Sequence, residues 1–133
     1  MKLLKSIVLC FILFVTDHVA SAEWVGIASS NERGGYVVYL DPSSKVALKE
    51  IVTFWLLYDF KLPQRTGGSS FSSYQIHLEV DCRKRLGRIL GFLDFLDRMG
   101  DGDPVRVSSA TQDWVPLSPD GKDKTLWALA CAG

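Results

Sequence analysis

Across residues 73–82 the chain alternates without a break: Tyr74, Ile76, Leu78, Val80 and Cys82 take one side, while Ser73, Gln75, His77, Glu79 and Asp81 take the other. Successive side chains point to opposite faces only in an extended strand, so this run predicts a half-buried antiparallel strand. The chain is thereby committed to a sheet with one face packed and one facing water. A cysteine closes the apolar face.

The partner for that cysteine follows from the N-terminus. Lys2 and Lys5 precede an apolar run over residues 6–15, and Ala20-Ser21-Ala22 ends the segment, the pattern of a charged region, a short hydrophobic region and a small-residue cleavage site. The run is about half of the roughly 20 apolar residues that cross a bilayer, and it meets Asp17 and His18. We therefore expect residues 1–22 to be a cleavable signal peptide, cut between Ala22 and Glu23, and residues 23–133 to be one exported domain. Cys10 follows Leu9 in the middle of the apolar run, which fits no lipid attachment. Cleavage removes it, and the odd count of three cysteines becomes the pair Cys82 and Cys131. In an oxidising compartment two such thiols pair when the fold brings their Cα atoms within about 7 Å.

Residues 52–60 carry apolar side chains at every even position and mixed ones between, which suits a central strand. Pro63-Gln64-Arg65-Thr66-Gly67-Gly68-Ser69-Ser70 reads as a long, mobile polar loop between the two strands. Upstream, residues 24–28 and 36–40 read as a hairpin, with Asn31, Gly34 and Gly35 supplying positive φ angles. Asp41-Pro42-Ser43-Ser44 is a turn. The segment 86–99 carries two patterns. Leu86, Ile89, Leu90, Leu93 and Leu96 fall at helical spacing, whereas Gly87 and Gly91 weaken a helix and Phe92 and Phe95 favour a sheet. Both readings stay open, with the strand preferred. A turn through Met99 to Pro104, edge strands over 105–108 and 114–117, and a short helix over 125–130 that delivers Cys131 to the sheet complete the reading.

Removing Lys2, Lys5 and Asp17 leaves 13 basic against 14 acidic residues, so no basic field exists to hold nucleic acid. Arg83-Lys84-Arg85 and Arg88 read as a solvated face or a guarded sheet edge. The exported part has one histidine, His77, placed by Gln75 and Glu79 on the polar face of a strand, where it builds no nucleophile site. Zinc spacing is missing, and Asp101-Gly102-Asp103 lacks the further ligands of a calcium loop. Paired carboxylates are the one formal route to acid–base chemistry, and Asp94 with Asp97, or Glu79 with Asp81, could approach one another, as surface acids do by chance in most domains. The expectation is no enzyme, no metal and no cofactor. Of the four tryptophans, Trp55 and Trp114 are expected in the core and Trp24 in an exposed patch suited to a partner.

The order of landmarks adds a resemblance. Tyr-Val-Val-Tyr-Leu-Asp-Pro-Ser-Ser at 36–44, Tyr58-Asp59-Phe60, Ser72-Ser73-Tyr74 leading to Glu79-Val80-Asp81-Cys82, Trp114-Val115-Pro116-Leu117 and Ala130-Cys131 together resemble the surface-adhesin protein E-like domain of exported bacterial proteins. The resemblance implies an α+β, mainly β fold. An antiparallel sheet of about six strands would carry a short C-terminal helix, tethered to its concave side by the disulfide. It also implies a non-enzymatic envelope protein that binds other proteins, extracellular-matrix and serum proteins among them. Since Cys10 lies in no lipid-attachment motif, the periplasm is the natural destination, with the cell surface or secretion as alternatives. A periplasmic ligand carrier or enzyme using the concave face, or a purely structural envelope protein, are the competing functions. No binding residue and no oligomeric state is readable from the residues.

Overall fold

The two alternating runs pair with each other and form the centre of the sheet. The computed structural model describes residues 23–132, so the expected leader, with Ala20 and Ala22, lies outside the described residues. Strands β1 (Val25–Ser30), β2 (Tyr36–Leu40), β3 (Val46–Leu48), β4 (Ile51–Thr66), β5 (Ser69–Asp81), β6 (Leu86–Phe95), β7 (Pro104–Ser108) and β8 (Val115–Pro116) are followed by one helix, α1 (Gly121–Cys131). The main path through this antiparallel sheet is β1-β2-β4-β5-β6-β7. β3 is added on β4 and β8 on β6.

Register explains the burial. Val52, Phe54, Leu56 and Tyr58 of β4 lie opposite Val80, Leu78, Ile76 and Tyr74 of β5, which puts two apolar rows on one face. Val38 and Leu40 of β2 extend those rows, and α1 seals them with Leu126 and Ala130, one helical turn apart. The opposite face is more polar, but Leu57, Asp59 and Ser73 are fully buried there, beneath the short helical turn Arg98–Gly100. Asp59 accepts hydrogen bonds from Arg98 Nε and from the Met99 amide (2.8 Å) and pairs with Arg98 Nη2. The Ser73 hydroxyl donates to the Asp97 carbonyl (2.6 Å) and accepts from the Gly100 amide (2.8 Å). A buried carboxylate and hydroxyl are thus satisfied by the segment that covers them.

Three expectations are corrected. The long loop over 63–70 is absent: β4 runs through Pro63 to Thr66, and a turn of only Gly67 and Gly68 joins it to β5. Those two glycines have φ of 55° and 84°, the sign that two-residue turns matching the strand twist require. Pro63, which has no N–H to give, falls in the pairing gap between Asp59 and Gln64. In the β1–β2 turn Asn31 has an ordinary negative φ, and Arg33 takes the left-handed conformation instead, alongside Gly34 and Gly35. The C-terminal helix begins four residues earlier than expected, at Gly121, because its first turn is polar and exposed and leaves no apolar signal.

Segment 86–99 is a strand up to Phe95. Both glycines that weaken a helix there serve close approaches. A Cβ on Gly91 would come within 2.8 Å of the Ser108 carbonyl at the end of β7, and one on Gly87 within 3.0 Å of the Leu117 side chain. Beside Gly91 the pairing slips between His77 and Leu78, so Leu90 is a bulged residue without a partner.

Candidate functional site

Three links hold the C-terminal half of α1 to the sheet. Cys82, just past β5, and Cys131 form a disulfide with Cα atoms 5.5 Å apart. Trp127 Nε1 donates to the Cys82 carbonyl (3.3 Å), and Lys45 Nζ donates to the Leu129 carbonyl (2.9 Å). The N-terminal half has no such tie to the strands. It stands over the sheet on the side of Lys122 and Asp123, and clefts open beneath it.

One cleft, of about 230 Å³, has Ile76, Leu78, Ile89 and Val115 from the sheet, Leu117 and Leu126 facing them, and the polar side chains of Arg88, Gln112, Asp113, Lys122 and Asp123 around them. The other, of about 200 Å³, is lined by Tyr36, Tyr58, Phe60 and Tyr74, with Arg33, Glu32 and Lys122 at its rim. Tyr58 and Lys122 border both. The tyrosines come from three adjacent strands. Their rings lie 5.7 Å (Tyr36 to Tyr58) and 4.7 Å (Tyr58 to Tyr74) apart, the second pair stacked, and Lys122 Nζ stands 5.2 Å from the centre of the Tyr58 ring. Burial pushes both the Tyr58 and Tyr74 phenols well above the usual value of 10. The neighbouring phenols add to the rise, and for Tyr74 the charges of Lys122 and Arg33 oppose it. Both therefore stay protonated donors at any physiological pH. The helix does not wholly fill the face it packs on.

The residues singled out in the sequence are dispersed. Asp94 is buried and bonded to Arg106 (2.8 Å), Glu79 is paired with Arg88 (2.7 Å), and Asp81 caps the turn amides of Arg83 and Lys84 (3.1 and 3.0 Å). These carboxylates do structural work. Among the described residues no group of three or more His, Cys, Asp or Glu side chains is placed to hold a metal, and no helix is long and apolar enough to cross a membrane. Arg83, Lys84 and Arg85 are exposed on the β5–β6 turn as expected; Arg85 also lies over the Trp127 ring, and the half-buried Arg88 lies over the Trp114 ring, both at 4.2 Å.

That arrangement corrects the reading of the tryptophans. Trp55 and Trp114 are half-buried rather than core residues, as are Trp24 and Trp127, and the core is built from Val, Leu, Ile, Phe and Tyr instead. A large ring with a polar edge fits a boundary where one side is covered and the other is wet. Trp55 shows this well, lying flat against His77 at 4.7 Å and 3° between planes.

His77 is in consequence half-buried, not free on the surface. Burial holds its pKa below 6.5, and the Glu79 charge only partly opposes the shift. Since the folded value lies below the unfolded one, the group's contribution to stability is present above about pH 6.5 and is lost as pH falls through the folded value. In an NMR titration of residues 23–133 the His77 midpoint is expected below 6.5, moving upward in Trp55→Ala. A midpoint at or above 6.5 in the unsubstituted domain would show that the Glu79 charge outweighs burial at His77.

The sequence reading missed the tyrosine cluster and the Asp59–Arg98 pair. Each tyrosine was visible as a position on an apolar face, but their convergence depends on the register of three strands.

Comparison with known proteins matches this architecture. The family model described as Surface-adhesin protein E matches residues 24–132. Among solved structures, crystal form II of Haemophilus influenzae protein E superposes with a TM-score of 0.60 at 14% identity, covering 84% of this chain and 97% of that one. The selenomethionine form of the same protein gives 0.56 at 16% identity, covering 81% and 95%. A structure of protein E from non-typeable Haemophilus influenzae gives 0.54 at 15%, covering 84% and 86%. At such identities the likeness establishes the fold. No curated protein matches the sequence.

Proposed function

Because the chain belongs to the surface-adhesin protein E family, we propose that it is an exported, non-enzymatic protein of the cell envelope that acts by binding other proteins. The observation that carries this reading is the extent of the family match, residues 24–132, which takes in the sheet, the helix and both paired cysteines. The carboxylates that offered acid–base chemistry, Asp94 and Glu79, are each engaged by an arginine, which favours binding over catalysis.

Export rests on the leader pattern, with cleavage between Ala22 and Glu23 releasing a domain of residues 23–133. The periplasm is the proposed destination. Host, matrix or envelope proteins are the proposed partners, and the exposed apolar residues Val105 and Val107 on edge strand β7 offer one contact surface.

The test uses the disulfide-intact domain 23–133 in solution over immobilised extracellular-matrix, serum and envelope proteins. Saturable binding to at least one of them is expected. Saturable binding to none, by protein whose fold has been verified by circular dichroism, overturns the reading.

A further inference from the structure

The paired clefts beneath the N-terminal half of α1 share no lining residue with edge strand β7, and each has a chemistry of its own. One end carries three phenols and two cations. The other is floored by the aliphatic side chains Ile76, Leu78 and Ile89, with Leu117 and Leu126 facing them and Arg88, Gln112, Asp113, Lys122 and Asp123 also on its lining. The two clefts, of about 230 and 200 Å³, share Tyr58 and Lys122 as a common border, and a ligand lying across that border would occupy a space at the lower end of small-molecule sites, roughly 300–1,000 Å³. We propose that this cleft binds a single-chain acyl carboxylate, its carboxylate among the hydroxyls of Tyr36, Tyr58 and Tyr74 beside Lys122, and its chain between Ile76, Leu78 and Ile89 below and Leu117 and Leu126 above.

The polar end selects an anion. Burial keeps the Tyr58 and Tyr74 hydroxyls in their protonated, donating form. Lys122 is paired with no carboxylate among the described residues and faces the Tyr58 ring, while Arg33 is close enough for its charge to act on Tyr74. A box of tyrosines alone would also suit a quaternary ammonium group. Here Lys122 and Arg33 set positive charge beside the phenols, which repels a second cation, although the negative charge of Asp123 also reaches Tyr58. Glu32 is the one carboxylate on the polar cleft, at its rim. On the apolar cleft lie Asp113 and Asp123, and Asp123 is engaged by the Ser118 amide (2.9 Å).

The apolar end selects a chain rather than a flat ring. Its walls are branched aliphatic side chains from two layers, without a facing aromatic pair to grip a ring. The site is independent of the protein-binding reading, and either can fail without the other.

The test titrates domain 23–133 with decanoate below its micelle concentration, following tyrosine ring signals by NMR and heat by calorimetry. Decanoate should saturate one site and shift the Tyr58 and Tyr74 signals. Acetate, which lacks the chain, and 1-decanol, which lacks the charge, should each bind at least about tenfold more weakly, as expected for losing the apolar burial or a charge-assisted hydrogen bond. Lys122→Gln and Tyr74→Phe should each weaken decanoate by about tenfold while leaving the thermal midpoint within a few degrees. Val115→Asp, at an exposed position on the aliphatic wall, tests the chain end separately and should also weaken it. The proposal is overturned by absence of saturation, by 1-decanol or decyltrimethylammonium binding as tightly as decanoate, or by saturation that leaves the tyrosine signals unmoved.

Discussion

Replacing Cys82 and Cys131 together by alanine is expected to lower the stability of domain 23–133 by about 4 kcal/mol. The two residues are 49 apart in sequence, and in the chain-entropy account a loop of that length restricts the unfolded chain by about this amount. For a domain of this size the loss corresponds to a fall in Tm on the order of 15 °C. The effect should be uneven across the fold. Without the disulfide, α1 keeps the Trp127 and Lys45 hydrogen bonds, the burial of Leu126 and Ala130 and its side-chain contacts with Arg85 and Tyr58, whereas β4 and β5 keep their full pairing. Hydrogen exchange should therefore show the amides of Gly121–Cys131 losing protection well before those of the central strands. Thermal unfolding by circular dichroism measures the first effect, and a shift of only two or three degrees would show that the disulfide is not a principal restraint.

The second large effect is expected at Phe60. Its side chain is 1% exposed and stands at the crowded end of the helix-bearing face, with ring centroids 5.3 Å from Tyr36, 5.6 Å from Tyr74 and, edge-on, 5.9 Å from Phe71. Phe60→Ala removes the buried area and leaves a cavity that three rigid rings on paired strands refill poorly, so a loss of about 3–5 kcal/mol is expected. Val107→Ala, on an edge strand at 61% exposure, is the control and should stay within about 0.5 kcal/mol. Urea unfolding of both variants decides the matter. Equal midpoints would place Phe60 outside the cooperative core. Because Phe60 also walls the tyrosine cleft, the variant should blur the Tyr36 and Tyr74 ring signals even where it remains folded.

What the sequence disclosed follows from how each feature is encoded. Strict alternation in residues 73–82, and apolar even positions in 52–60, record burial of one face directly, and both runs are strands with the expected sides inward. The cysteine pairing followed from a count, and the structure joins the same two residues. The ends of β4 and β5 were hidden because Gln64, Arg65 and Thr66 pair with Phe71, Ser70 and Ser69 through backbone hydrogen bonds, which demand no apolar side chain. Gly87 and Gly91 blurred the reading of β6, since close approach by Leu117 and Ser108 is invisible until neighbouring elements are placed. The tryptophans misled because size was read as burial, whereas each large ring found a half-covered place.

Least legible were the features that depend on several distant elements at once. Asp59 and Arg98 are 39 residues apart, and nothing local to Asp59 marks it as the buried carboxylate under the Arg98–Gly100 turn. Tyr36, Tyr58 and Tyr74 meet only because β2, β4 and β5 pair in one particular register, and Lys122 comes to them from a helix distant in sequence. Site residues of this kind become visible only when the fold is assembled.

Export, cleavage between Ala22 and Glu23 and oxidation of the Cys82–Cys131 pair are proposed to act together. Intact mass of the protein recovered from cell fractions, alkylated with and without prior reduction, tests this most directly. The account predicts a chain beginning at Glu23 in the envelope fraction that takes up no alkylating reagent until it is reduced, and then takes up two. A chain that still begins at Met1, found in the cytoplasm with its thiols free, would contradict it.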